Sequence, residues 1–305
     1  MADETQPKSK LIIDEDWKRQ AQAEKEALAM KAKEVVGIEG QGSAIRSAAK
    51  NAGAAGLDNT RFRKSPIDLA VAHNEFAAIL GPSGCGKSTL LNMVAGFERP
   101  TRGQVLVEGE PVRAPHPGRA VVFQEAALFP WYTVLDNIAF GPRTRGTPAA
   151  QYRPRIDTLL DVMGLRGFER HYPAELSGGM KQRVGLARVL IMEPAVLLMD
   201  EPFGSLDAQT RSVMQELLLT VWERRQQTVL FITHDIEEAL LLADTVSVMT
   251  ARPGRIKTRI AVDLPRPRSL EVTTSPRFND LKRRLLALVR EETFNPGADH
   301  APRAR

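Results

Sequence analysis

Four short apolar runs punctuate the chain: Phe76–Leu80, Ala120–Phe123, Ala195–Met199 and Thr228–Thr233. Each is strand-sized and does not alternate with polar residues, the pattern of parallel strands buried on both faces. Helical stretches lie between them, one opening at Thr89–Val94 and another spanning Lys181–Ile191. Strand and helix in alternation predict an α/β core with a mainly parallel sheet. Further on, Phe278, Leu281, Leu285 and Leu288 recur at helical spacing behind Ser275 as a cap and Pro276 at the first helical position. That predicts an amphipathic helix within 269–292, followed by a disordered tail from Phe294 to Arg305. Near the start, a charged helical run from Asp14 to about Glu34 carries Asp14/Lys18 and Glu15/Arg19 pairs four residues apart. Its apolar stripe (Trp17, Ala21, Leu28, Ala32, Val35) is thin, and Gly37–Asn59 is rich in Gly, Ala and Ser and reads as a linker. The expected division is therefore 1–58 as an N-terminal extension, 59–268 as the main domain, and 269–305 as a C-terminal helix and tail.

Composition narrows the setting. At 305 residues there is room for one large domain with appendages. No apolar stretch approaches the ~20 residues that span a bilayer, and Met1-Ala-Asp-Glu has no apolar segment behind it, so no secretory signal is expected. One cysteine, Cys85, fits a reducing compartment and excludes an internal disulfide. The net charge of +5 is spread along the chain without a long basic block, so no nucleic-acid partner is expected. Arginines are denser in the last third, a distribution that fits a solvated surface or contact with an anionic membrane face.

The chemistry begins where the first apolar run ends. Gly81-Pro82-Ser83-Gly84-Cys85-Gly86-Lys87-Ser88-Thr89 fits the phosphate-loop pattern GxxxxGK[ST], with a strand before it and a helix after it. Glycines let backbone N–H groups curl around a phosphate, and the helix N-terminus adds partial positive charge. Lys87 would reach the β- and γ-phosphates and the Ser88 hydroxyl would ligate Mg²⁺. A ligand-free glycine-rich turn is the alternative, and the Lys-Ser pair between strand and helix argues against it.

A phosphate loop implies a nucleoside triphosphate and little more. The segment Leu176-Ser177-Gly178-Gly179-Met180 separates the candidates: it resembles the LSGGQ signature of the ATP-binding cassette (ABC) family, with Met180 where Gln is usual. Ser and two glycines opening a helix make a second anion-binding N-terminus. Asp200 and Glu201 end the third apolar run, at the sheet edge where α/β proteins bind ligands. By the resemblance Asp200 holds Mg²⁺ through water, and Glu201 is general base for the attacking water. Pro202-Phe-Gly-Ser-Leu-Asp207 matches the family's D-loop, Gln124 its Q-loop glutamine that touches Mg²⁺ and lytic water, and His234 its switch histidine. All six signals follow the family's order between residues 81 and 234.

The resemblance implies an ATPase with a cassette fold: a mainly parallel sheet, an antiparallel β part, and an inserted helical signature subdomain at about 125–190. One phosphate loop and one signature per chain imply a head-to-tail dimer, identical or a related pair, with ATP held between Lys87 of one subunit and Ser177 and Gly179 of the other. Transmembrane permease subunits and, indirectly, a periplasmic solute-binding protein are the further partners, which puts the chain on the cytoplasmic face of the inner membrane as a peripheral subunit. Phe129, Trp131 and Tyr132 fall where the family forms the groove for a permease's coupling helix, although subdomain core would also explain them. The wording Leu128-Phe-Pro-Trp131, Ala251-Arg-Pro-Gly-Arg-Ile256 and Ser275-Pro-Arg-Phe278 resembles importers of nitrate, sulfonates and taurine. An exporter or lipoprotein-release cassette is the alternative, as is a soluble ABC ATPase. The gap from Gly86 to Ser177 is too short for the coiled coil of DNA-repair types, and translation types carry two cassettes. One family feature is displaced: the adenine-stacking aromatic falls on Phe62, closer to the phosphate loop than usual.

Overall fold

The computed structural model describes Ile67 and residues 69–294. The N-terminal extension, Phe62 and the tail beyond residue 294 lie outside the described residues. All four apolar runs form strands. β1 (Phe76–Leu80), β4 (Arg119–Val122), β5 (Val196–Asp200) and β6 (Thr228–Ile232) pair in parallel, joined by β7 (Thr245–Met249) and by β8 (Ile256–Ala261), which is antiparallel to β7. The order across the sheet is β4-β5-β6-β1-β7-β8, with Phe76 opposite Val229 and Val196 opposite Thr228. A separate two-stranded ladder, β2 (Leu106–Val107) with β3 (Glu110–Pro111), completes the antiparallel part.

Strand residues alternate between two cores, as a period of two requires. Phe76, Ala78, Leu197, Met199, Val229 and Phe231 face one. Ala77, Ile79, Val196, Leu198, Leu230 and Ile232 face the other. The second face is covered by α1 (Lys87–Ala95) through Leu90, Leu91 and Ala95. The first carries the inserted helices α2 (Val134–Thr144), α3 (Ala149–Val162) and α4 (Gly178–Leu190), with α5 (Ala208–Arg225), α6 (Ile236–Leu242) and α7 (Pro276–Phe294). The turn into β1 holds Asn74 at φ 61°, a left-handed position that Asn tolerates at small cost, and its N–H donates to the Thr228 hydroxyl.

Two expectations shift. α4 begins at Gly178 rather than Lys181, because Ser177 caps it by accepting from the Met180 N–H at 3.3 Å. The C-terminal segment splits: a 3-10 turn at Leu270–Thr274 precedes α7, and the Ser275 hydroxyl accepts from the Phe278 N–H. The C-terminal arginines are not uniformly a surface feature. Arg268 is 6 % exposed and donates to the carbonyls of Leu240, Leu241, Ala243, Val262 and Leu264. Burial, with help from the neighbouring Arg266 charge, pulls its guanidinium down to about 10. Arg266 lies over the Trp222 ring at 4.0 Å and pairs with Asp244. These two side chains tie the β8–α7 connection to the ends of α6 and α5.

Candidate functional site

The C-terminal edges of β1, β5 and β6 converge on one constellation. The phosphate loop leaves β1 at Gly81 and enters α1 through Gly86, whose φ of 105° only glycine adopts without strain. Lys87 is 6 % exposed, and its ammonium folds back across the loop to donate to the carbonyls of Gly81 (2.9 Å) and Pro82 (3.2 Å). Ser83, Gly84, Ser88 and Thr89 are exposed along the loop, whereas Cys85 is buried as a free thiol. The loop is braced from outside by Arg252, whose Nε donates to the Gly84 carbonyl at 3.1 Å.

Asp200, the last residue of β5, meets this loop through a side-chain hydrogen bond with Ser88. Burial pushes its carboxyl up, and the neighbouring Glu201 adds to that, while the Ser88 hydrogen bond and the Lys87 charge pull it down. Glu201 then takes φ 45°, uncommon for a residue with a side chain. Its N–H donates to the Ile232 carbonyl (2.9 Å), so the chain turns off β5 toward the end of β6. There the Glu201 carboxylate lies 2.9 Å from Nδ1 of His234. Strain at a turn that re-aims a carboxylate is characteristic of functional sites. Gln124 stands just past β4, exposed, with its amide beside Gly204 in the turn after Glu201. Lys87, Ser88 and Asp200 thus meet at the phosphate loop, and the turn that follows Asp200 carries Glu201 to His234 and Gly204 to the Gln124 amide.

A second constellation forms where the N-termini of α4 and α5 meet. Ser177 caps α4, Gly178 is open to solvent, and Gly179 packs so closely on α5 that a Cβ there would lie 2.4 Å from Thr210 Cγ2. Asp207 caps α5 by accepting from the Thr210 N–H at 3.0 Å. The signature and the D-loop therefore meet at Thr210. No hydrogen bond among the described residues joins Ser177–Gly179 to the phosphate loop of the same chain.

Sequence reasoning missed one connector. Gln182 on α4 is 4 % exposed and its amide donates to the carbonyls of Gln124 (2.8 Å) and Pro202 (2.5 Å). It links the signature helix to the Gln124 segment and to the turn after Glu201. The available signal was a polar residue in line with Gly179, Leu186 and Leu190 on the buried stripe of the helix. The aromatics read as interface or core divide: Phe129 rests on Phe140 at 4.5 Å, and Trp131 is 68 % exposed.

A family profile described as ABC transporter matches residues 65–204. An uncharacterised ABC transporter ATP-binding protein of Methanocaldococcus jannaschii is 47 % identical over 228 residues, 75 % of this chain and 84 % of that protein. The chain belongs to the ABC transporter family. This ABC ATPase is also similar to a taurine import ATP-binding protein of a Jannaschia species, 45 % identical over 232 residues, 73 % of this chain and 85 % of the relative. An aliphatic sulfonates import ATP-binding protein of Bacillus licheniformis is 44 % identical over 230 residues, 75 % and 88 % of the two chains. Among solved structures, part of an ABC transporter complex from Clostridium perfringens superposes on the ATPase with TM-score 0.61 at 29 % identity, covering 74 % of this chain and 90 % of the other. A dimeric ATP-binding cassette in a post-hydrolysis state, with ADP and Pi bound, gives TM-score 0.57 at 28 % identity, covering 66 % and 91 %. No helix among the described residues of the ABC ATPase is long and apolar enough to cross a membrane.

Proposed function

We propose that this ABC ATPase drives an importer of small oxyanions of the sulfonate and taurine type, two cassettes closing on ATP and opening after hydrolysis. The observation that carries the hydrolytic reading is the pairing of Glu201 with His234 at 2.9 Å beside the Asp200–Ser88 contact and Lys87. Lys87 moves from its loop carbonyls to the β- and γ-phosphates, and the loop N–H groups orient the triphosphate. Glu201 takes the proton of the attacking water, while His234 and Gln124 hold that water and the γ-phosphate in line. Ser88 and Asp200 offer a hydroxyl and a carboxylate in contact, hard oxygen donors that suit Mg²⁺ together with phosphate oxygens and water. Mg²⁺ held by Ser88 and Asp200 would supply charge neutralisation at the phosphates.

Ser177, Gly178 and Gly179 close on the γ-phosphate of the partner subunit's nucleotide, and Asp207 follows at the same seam. The separation of the two constellations within one chain supports this arrangement, as do the dimeric cassettes among its structural relatives. Uptake rather than export is supported by the taurine and sulfonate import relatives. The exposed Trp131, backed by Phe129 and Tyr132, supports a groove for a permease at the cytoplasmic membrane face. A periplasmic solute-binding protein would deliver the solute to that permease.

The test is Trp131→Ala in the complex with its permease. Truncating an interface tryptophan removes on the order of 2 kcal/mol or more of binding, so co-purification with the permease and taurine-stimulated ATPase activity fall. Loss of a core tryptophan would cost roughly 3–5 kcal/mol of stability; because Trp131 is exposed, the melting temperature of the isolated subunit should instead stay near wild type. Unchanged permease binding would remove this groove from the mechanism. Stimulation by none of taurine, alkanesulfonates or nitrate would remove the solute class.

A further inference from the structure

A buried polar chain runs from α5 to the turn that carries His234, and the hydrolytic mechanism does not use it. Glu238 on α6 is 4 % exposed. One of its carboxylate oxygens accepts from the Thr233 hydroxyl, and the other accepts from the Gln215 amide of α5 at 3.1 Å. Thr233 is 2 % exposed, and its hydroxyl also accepts from the Asp235 N–H at 3.0 Å. Asp235 in turn caps α6, taking the N–H groups of Glu237 (2.8 Å) and Glu238 (3.2 Å). A parallel tie runs through Arg211 of α5, which donates to the Leu206 carbonyl at 3.0 Å and stands 3.7 Å from the Asp235 carboxylate. His234 is therefore clasped on both chain sides, Thr233 and Asp235, by groups anchored on a single helix. Asp207 caps that helix, whose first turn packs against Gly179 of the signature.

Placing a carboxyl among Ala239, Leu240 and Leu241 costs free energy that an apolar side chain would not. Burial pushes Glu238 up from the ordinary carboxylate range, against the donors from Thr233 and Gln215. What the arrangement secures is direction: hydrogen bonds of fixed geometry define where the Thr233–Asp235 turn sits relative to α5.

We propose that Gln215 and Arg211 are positioning residues for His234, acting through Glu238 and Asp235 to hold its turn in register with the helix that rises from Asp207. The proposal rests on the hydrolytic reading above and adds to it an intramolecular route from the partner-facing segment to the histidine beside Glu201. A rigid displacement of α5 when Asp207 meets a second subunit would be passed to His234 through both ties.

Steady-state hydrolysis of Mg-ATP by the full chain tests this. Gln215→Met keeps the volume and removes the donor, leaving a buried acceptor unmatched. The expected result is a fall in kcat of about tenfold with KM for ATP changed less than about twofold. The reciprocal pair Gln215→Glu with Glu238→Gln restores a donor and an acceptor in swapped positions, and should return kcat to within about threefold of wild type. In a His234→Ala background Gln215→Met should lower the residual rate less than about twofold, because residues acting as a unit are not additive. Unchanged kcat in Gln215→Met overturns the proposal. So does a loss that the swap fails to recover, or one that adds in full to His234→Ala. Should Gln215→Met not fold, Arg211→Met at its partly exposed site takes its place in the His234 cycle with the same criteria. Wild-type turnover with a dead Glu201→Gln control keeps the hydrolytic reading apart: no turnover by wild type sinks that reading, while normal turnover with indifferent ties sinks only this one.

Discussion

Two helix N-termini in this chain are built from the same physical idea and finished differently. At α1 the opening residue is Gly86 with no side-chain cap, and chemistry crowds round it: Lys87, Ser88, Asp200, Glu201 and His234. At α4 the opening is capped by Ser177, and no ionised group hydrogen-bonds to Ser177, Gly178 or Gly179 among the described residues. Both ends concentrate N–H groups and positive dipole. Among the described residues, only the first stands beside carboxylates and an imidazole. In the function proposed above, the second recognises a phosphate without activating water, and so supplies half of a site that a partner subunit completes.

The sharpest way to break this asymmetry is Glu201→Gln, which keeps size and hydrogen bonding but removes the base. Turnover should fall by about 10²–10⁴, and size-exclusion with Mg-ATP should then show a persistent dimer. Near-wild-type turnover would sink the assignment of chemistry to the α1 end.

Gly178→Asp probes the other end with effects of opposite sign. A Cβ at Gly178 meets nothing within 4 Å, and a carboxylate in the first turn favours the α4 dipole. The isolated subunit should therefore melt at or slightly above the wild-type temperature. Facing a partner's γ-phosphate, however, the added charge should weaken ATP-driven dimerisation by about 10²-fold, since juxtaposed like charges cost several kcal/mol. Normal dimerisation on a light-scattering titration with ATP would mean that this helix end does not meet nucleotide.

Ser177→Ala is the mildest change. Losing the cap to Met180 costs about 1 kcal/mol, a drop of about 2–4 °C in melting temperature for a domain of this size. A thermal melt unmoved by the substitution would show that the hydroxyl does not hold the helix end.

Most of this contrast was legible in the amino-acid order. The Phe76–Leu80 run became β1 with the same bounds, because an apolar run that stops at Gly81 leaves the strand no freedom to extend. The start of α4 was misplaced by three residues, since Gly178-Gly179 reads as non-helical by propensity and only the Ser177 cap shows otherwise. Arg266 and Arg268 read as surface charge because their partners, the carbonyls ending α6 and the Trp222 ring, are far away in sequence. Gln182, Gln215 and Glu238 escaped for a related reason: each is one polar residue on an apolar stripe, and what it satisfies comes from another element. For Phe129, Trp131 and Tyr132, residue type alone left core and interface equally open. The structure leaves Trp131 68 % exposed.

That exposure has an optical consequence. Trp222 lies 5 % exposed in the core beneath the Arg266 guanidinium, whereas Trp131 stands in solvent. Indole emission moves to longer wavelength in water and to shorter wavelength in apolar surroundings. In a Trp17→Phe background the two remaining indoles give one protein two independent colours. The red-edge component follows whatever settles over Trp131, and the blue one stays fixed until the sheet itself comes apart. A docking event and an unfolding event can thus be told apart in a single cuvette without an added dye.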